Sequence, residues 1–290
     1  MLKKRLIACL IIKDGLIVQS VGFNKYFPIG KPFFSIEFIA RWNVDEIILL
    51  DISTPKNNKK DYSQLKLFIK NCFVPITYGG GISSIEDVHD IINSGADRIS
   101  INSNALDNPK LIEEIANIYG EQCIVASIDY KTNEDGKNKV YSHSGTKDTG
   151  LDPLDWSKKC EELGAGEILL NSIDRDGRGT GYDIDFIKKV TKYINIPLIA
   201  CGGVGKFSDF SKGILDGGAS AVAAANIFHY VEHSTIIAKA HMYNDGVQIR
   251  LNQIAQYKNR RFDKNGRLLM LNIDQLEKAD WALRDKNAIL

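Results

Sequence analysis

The stretch "RLIACLIIKDG" (5–15) in the first half of the chain has a near copy, "CIVASIDYK" (123–131), in the second half. Both are apolar at successive positions, which is the pattern of a parallel strand covered on both faces. Six more short runs share it: EIILLD (46–51), VPITYG (74–79), RISIN (98–102), EILLNSI (167–173), PLIACGG (197–203) and SAVAAAN (220–226). Amphipathic segments lie between them, such as SIEFIARWN (35–43), SSIEDVHDIINSG (83–95) and NPKLIEEIANIYG (108–120). Several begin at Ser, Asp or Asn and stop at Gly, as helices do. With a last helix near 231–243, the count is eight β-α units. Their natural closure is an α/β fold, the (β/α)8 or TIM barrel.

The copy extends beyond one strand. "LLDIS" (49–53) matches "LNSID" (170–174), "YGGGIS" (78–83) matches "CGGVGK" (201–206), and "ADRISINSNA" (96–105) matches "ASAVAAANIF" (219–228). Three landmarks in the same order predict an internal half-barrel repeat. Residues 131–148 are too polar for core and read as a loop or hairpin at the barrel mouth. The barrel is assigned to 1–250. Residues 251–290, charged and with one amphipathic stretch from Ile273, are assigned to a C-terminal extension packing on the barrel or on a partner.

Composition narrows the function classes. The chain has 290 residues, 44% of them hydrophobic, and a formal net charge of +1. That charge gives no electrostatic case for nucleic acid or a membrane surface. The run 6–12 is too short to span a bilayer and lacks a cleavage site, so no signal peptide is expected. Five scattered cysteines (Cys9, Cys72, Cys123, Cys160, Cys201) form no CxxC pair. They read as buried free thiols of a cytoplasmic protein. No His, Cys or carboxylate spacing suggests a metal, and no cofactor is expected.

Barrel chemistry gathers at strand C-terminal ends. Gly79-Gly80-Gly81 follows the third strand and Gly202-Gly203 the seventh. Glycine lets backbone N–H groups approach an anion. Asn102-Ser103 and Ala225-Asn226 end strands four and eight and could finish each cradle, and Asp176-Gly177 opens a glycine-rich loop. Two opposed cradles suit an elongated ligand with a phosphate at each end. Asp51 and Asp174, taken as repeat-related, and Asp129 are candidate acids. His143 and His229 read as surface or packing residues.

Together "YGGGI", "ADRISIN", "SIDYK", "GAGEILLNSIDRDGRGTGYD" (164–183), "ACGGVGK" and "ANIFHY" resemble the cyclase subunit of imidazole glycerol phosphate synthase, over Met1 to about Arg250. The resemblance implies a half-repeated (β/α)8 barrel that binds a bisphosphorylated aminoimidazole carboxamide ribonucleotide at its top. It also implies ammonia supplied by a glutaminase subunit docked at the bottom. The family's phosphate pattern falls on Gly81, Asn102, Ser103, Asp176, Gly177, Gly203 and Ala225, with Asn226 where the family has serine. A ring resembling an ammonia gate falls on Arg5, Glu46, Arg98 (lysine in the family) and Glu167. Asp97 falls where the family meets its glutaminase.

One departure matters most. The family pairs an acid on strand one with an acid on strand five. The second is Asp129, but the first position holds Ile11, and the half-repeat points to the same vacancy. Leu16 and Gln19 also replace basic residues of the adjoining loop. This resembles the second, paralogous cyclase-like proteins of surface-polysaccharide amidation, which work with a glutaminase and an ATP-dependent N-acetyl sugar amidotransferase. The expectation is an ammonia-delivering barrel with an incomplete acid pair. The alternatives are an active histidine-pathway cyclase with a substitute acid, or a non-catalytic phosphate-binding scaffold.

Overall fold

The computed structural model describes residues 3–53, 62–231, 233–251, 257, 260–263, 266–269 and 274. The chain opens with β1 (Arg5–Lys13), β2 (Leu16–Val21) and β3 (Lys25–Gly30), then α1 (Pro32–Arg41) and β4 (Glu46–Asp51). Next come α2 (Leu65–Ile69), β5 (Ile76–Gly79), α3 (Ile85–Asn93), β6 (Arg98–Ile101), α4 (Ser103–Asp107) and α5 (Lys110–Tyr119). The second half runs β7 (Ile124–Thr132), β8 (Asn138–Ser142), β9 (Lys147–Asp148), α6 (Pro153–Glu162), β10 (Glu167–Ser172), α7 (Ile184–Tyr193), β11 (Leu198–Cys201), α8 (Ser208–Leu215), β12 (Ala221–Ala224) and α9 (Ser234–Asn244).

Eight strands pair in parallel in the order β1-β4-β5-β6-β7-β10-β11-β12, and β12 returns to β1. The closed cylinder is the expected (β/α)8 barrel. Alternation along β1 sorts its side chains. Ile7 and Cys9 join Ile48, Val125, Leu169 and Ile199 inside the barrel, while Leu6, Ala8 and Leu10 pack outward under the helices. A parallel strand buried on both faces needs apolar residues at every position.

The register carries the half-repeat. Ile7 faces Glu46 across β1–β4 as Val125 faces Glu167 across β7–β10. Four residues further along, Ile11 faces Leu50 as Asp129 faces Asn171. Ile11 and Asp129 therefore hold equivalent places, as do Glu46 and Glu167. The same register separates Asp51 from Asp174. Asp51 pairs at the level of Ile12, and its equivalent in β10 is Ser172; Asp174 lies beyond the strand. The ungapped match of 49–53 to 170–174 agrees with this register, placing Asp51 on Ser172 and Asp174 on Ser53, so Asp51 and Asp174 are not repeat-related.

Both β1 and β7 run past the barrel into antiparallel hairpins, β1–β2–β3 and β7–β8–β9. The polar segment 131–148 is the second of these. The first was not expected. The helix sought at 35–43 begins at Pro32, whose ring suits the first helical position after an extended Lys31. The last helix starts at Ser234, after His233 in a left-handed conformation (φ 55°).

Of the extension, Tyr257 stacks on His233 with ring centroids 6.0 Å apart, and Phe262 lies 3.8 Å from the His241 ring of α9. The stretch from Ile273 lies, Asp274 apart, outside the described residues. Among the described residues, no helix is long and apolar enough to cross a membrane.

Candidate functional site

The strand C-terminal ends open into a cavity of about 330 Å³. Asp129 lines it, 8% exposed. Each carboxylate oxygen takes one amide N–H: Asn102 Nδ2 donates to Oδ2 at 2.6 Å and Asn171 Nδ2 to Oδ1 at 3.3 Å. Burial pushes its pKa up to about 7. The Asn171 and Asn102 hydrogen bonds oppose that rise and the Asp176 charge adds to it. A carboxyl that titrates near neutrality can give or take a proton. Ile11, its repeat equivalent, lines the same cavity and offers no such group.

The other acids are committed differently. Asp51 lines the cavity, accepting from Ser53 N at 2.9 Å and Tyr78 Oη at 3.2 Å. Asp174 is not a cavity residue; it accepts from Thr132 N at 2.8 Å and ties down the second hairpin. Asp176 acts as a clamp. Its Oδ2 accepts from Ser20 Oγ at 2.6 Å and Phe23 N at 3.2 Å, locking the first hairpin over the cavity. Burial raises its pKa against those hydrogen bonds.

The expected cradle positions Gly81, Asn102, Ser103, Asp176, Gly177, Gly203, Ala225 and Asn226 all lie on this one cavity. The glycine after β5 has a steric reason. A Cβ on Gly80, at φ +131°, would sit 2.1 Å from the Asp51 carbonyl oxygen. Next to that loop, Ser84 and Asp87 form a capping box that fixes the start of α3. Two cradle side chains already have protein partners. Asn226 Nδ2 donates to Ser20 O at 2.8 Å, and Ser103 Oγ accepts from His143 N at 2.9 Å. An anion there would rest mainly on backbone N–H groups, in the company of the Asp176 carboxylate.

Several cavity residues were not singled out from sequence. Phe23 and Tyr26 come from the first hairpin, Ser100 from β6 and Asn171 from β10. His143, assigned to surface or packing, is exposed at the tip of the second hairpin and lies on the cavity rim. The repeat could have found Asn171, which lies opposite Asp129 as Leu50 lies opposite Ile11. His229 is a packing residue: burial lowers its pKa to about 4.

At the opposite, N-terminal end of the barrel, Arg5, Glu46, Arg98 and Glu167 close a ring. Arg5 Nη1 donates to Glu46 Oε1 at 2.8 Å and Arg98 Nη1 to Glu167 Oε2 at 2.6 Å. Arg5–Glu167 and Arg98–Glu46 pairs complete the circuit. Burial opposes the charge on Arg5, but hydrogen bonds and attraction from Glu167, then Glu46, hold its pKa above the ordinary value. Asp97 lies beside the ring, its Oδ2 accepting from Ile76 N at 2.8 Å, so it also starts β5.

A closed parallel eight-strand barrel with surrounding helices, and a strand-end cavity that gathers glycine loops and a buried carboxylate, defines a (β/α)8 barrel protein. Within that class, the chain belongs to the histidine biosynthesis protein family, whose pattern it matches over residues 5–234. It is 43% identical over 268 residues to a Vibrio vulnificus protein provisionally named imidazole glycerol phosphate synthase subunit hisF2, covering 92% of this chain and 98% of that one. It is 42% identical over 254 residues to the imidazole glycerol phosphate synthase subunit HisF of Clostridium botulinum, covering 87% of this chain and all of that one. The chain is thus a HisF-like member of the cyclase family.

Proposed function

We propose that this barrel receives ammonia from a glutaminase subunit at its N-terminal end, near Asp97, and passes it through the ring to the strand-end cavity. The ammonia serves amidation of a surface-polysaccharide sugar in the cytoplasm, and an ATP-dependent N-acetyl sugar amidotransferase carries out the amidation. The observation that carries this reading is the contrast between the two ends. The four-charge ring is complete, while Ile11 stands where the repeat puts the partner of Asp129. One missing acid or base costs roughly 10²–10⁴-fold in rate. A barrel that conducts without performing the cyclase step tolerates that loss. Cys9, Ser100 and Ser127 line the cavity, and Ile7, Ile48, Val125, Leu169 and Ile199 form the apolar interior that ammonia crosses between ring and mouth. The glycine loops still admit a small phosphorylated ligand.

One observation favours a second reading, a competent cyclase. His143 shares the cavity with Asp129 and could supply the missing proton donor. Turnover of the bisphosphorylated ribonucleotide with excess ammonium salt separates the two, measured on the native barrel, Ile11→Asp and His143→Ala. The conduit reading expects no native turnover and partial rescue by Ile11→Asp. Native turnover at ordinary enzymatic rates, abolished in His143→Ala, would replace it with the cyclase reading.

A further inference from the structure

The floor of the cavity has a chemistry that a bisphosphate does not explain. Among the described residues that line it are three carboxylates, Asp51, Asp129 and Asp176, and no Lys or Arg. Lys13 is nearby but sits 5.0 Å over the Tyr26 ring. Around Asp129 the amides are oriented by the carboxylate itself. An acceptor-only group turns the N–H2 side of each neighbour toward it, as Asn102 and Asn171 both do. Their carbonyl oxygens are left over. Asn102 Oδ1 and Asn171 Oδ1 are buried without a protein partner, and so is Ser100 Oγ, two residues before Asn102 on the same face of its strand. Asn171 is 6% exposed and Ser100 4%.

Buried polar atoms without partners are costly; the two amide oxygens each ask for a donor, and the Ser100 hydroxyl can accept one as well. A phosphate brings only acceptors and more negative charge. Water brings two donors and no charge. A small ammonium cation brings four N–H donors in a tetrahedron and the missing positive charge. We propose that Asp129, Asn102, Asn171 and Ser100 form an ammonium-binding site at the floor of the cavity, with Asp129 supplying the counter-charge and the amide and hydroxyl oxygens the directional contacts. Ammonia arriving from below takes the proton of the Asp129 carboxyl and is held as ammonium against the carboxylate, and it returns that proton to Asp129 when it leaves as ammonia for transfer. The physiological meaning rests on the ammonia-receiving reading above; the site itself rests on the geometry of this one chain.

The test uses the purified full chain alone at pH 8, titrated with ammonium chloride, potassium chloride or sodium chloride at constant ionic strength. The readouts are the Asp129 carboxyl 13C shift and the thermal midpoint. Ammonium should saturate both. Potassium, of similar size but without N–H donors, should bind about tenfold more weakly, the worth of one charge-assisted hydrogen bond. Asn171→Leu should weaken the ammonium response about tenfold for the same reason, with Ser100→Ala as the milder variant if Asn171→Leu does not fold. Equal responses to all three salts, or an ammonium response unchanged in both variants, would overturn the site. A separate assay of glutamine hydrolysis by the partner glutaminase, with and without the barrel, keeps the readings apart. Stimulation without an ammonium response sinks the site alone, and an ammonium response without stimulation sinks the glutaminase reading alone.

Discussion

Asp129 concentrates the tension between stability and use. Its pKa in the fold, about 7, lies above the ordinary 3.8 because burial favours the neutral acid. Stability from a raised carboxyl is fully present below the unfolded pKa and is lost as pH rises through the folded one. The loss therefore falls between about pH 4 and 7, and the gap between 3.8 and about 7 sets a ceiling of about 4 kcal/mol. The amide introduced by Asp129→Asn does not titrate. The stability of Asp129→Asn relative to the native chain should rise from pH 4 to pH 7 and level off above it. Urea denaturation across that range in ammonium-free buffer measures it. A flat difference would mean that Asp129 keeps its charge in the fold without penalty. Ile11, on the equivalent side, contributes nothing to this slope.

The two hairpins that flank Asp129 show how far local signals reach. β1 and β2 join through Asp14-Gly15, at φ +51° and +78°, the backbone of a type I′ turn and a common use of Asp-Gly. Nothing lies within 4 Å of a Cβ built on Gly15, whereas one on Gly80 collides with backbone. Gly15→Ala should therefore cost only the left-handed backbone term, about 1 kcal/mol. Gly80→Ala should cost more and deform the loop between β5 and α3, which loss of ligand-induced thermal shift with a phosphorylated sugar would report. Equal costs would mean that the loop after β5 relaxes freely. The eight barrel strands were legible because burial on both faces writes an uninterrupted apolar run. β3 was not, because "KYFPIG" is largely exposed and carries a proline. It is held by pairing with β2 rather than by a core face. The vacancy at Ile11 was legible because both strands share one inward period from Ile7 and Val125. Asp174 was paired with Asp51 on residue type alone, although the same match sets it two residues further on, past the end of β10. Asn171 was within reach of the repeat, which aligns it with Leu50, whereas Ser100 escaped notice because its place on the cavity comes only with closure of the barrel.

Over the whole molecule, the barrel separates two polar ends by an apolar interior, and the ring at the base tests whether that separation serves transport. Glu167 is 4% exposed and accepts from both Arg5 and Arg98. Glu167→Gln leaves two guanidinium groups sharing Glu46 alone. Breaking a buried network by removing one partner costs about 3–5 kcal/mol, and the partial exposure of both Arg side chains, 21% and 17%, places the expectation at the lower end. Glu37→Gln is the internal control. Its partner Arg41 is 60% exposed, and such surface pairs are worth about 0–1 kcal/mol. Stability alone does not separate a gate from a staple, because both lose it. The separating quantity is glutamine hydrolysis by the proposed glutaminase partner, compared per folded barrel at a temperature where every variant remains native. A ring that meets the ammonia route makes Glu167→Gln lose stimulation while Glu37→Gln keeps it. A ring that only braces the barrel leaves both variants as stimulating as the native chain, and the route from glutaminase to cavity would then have to bypass Arg5, Glu46, Arg98 and Glu167.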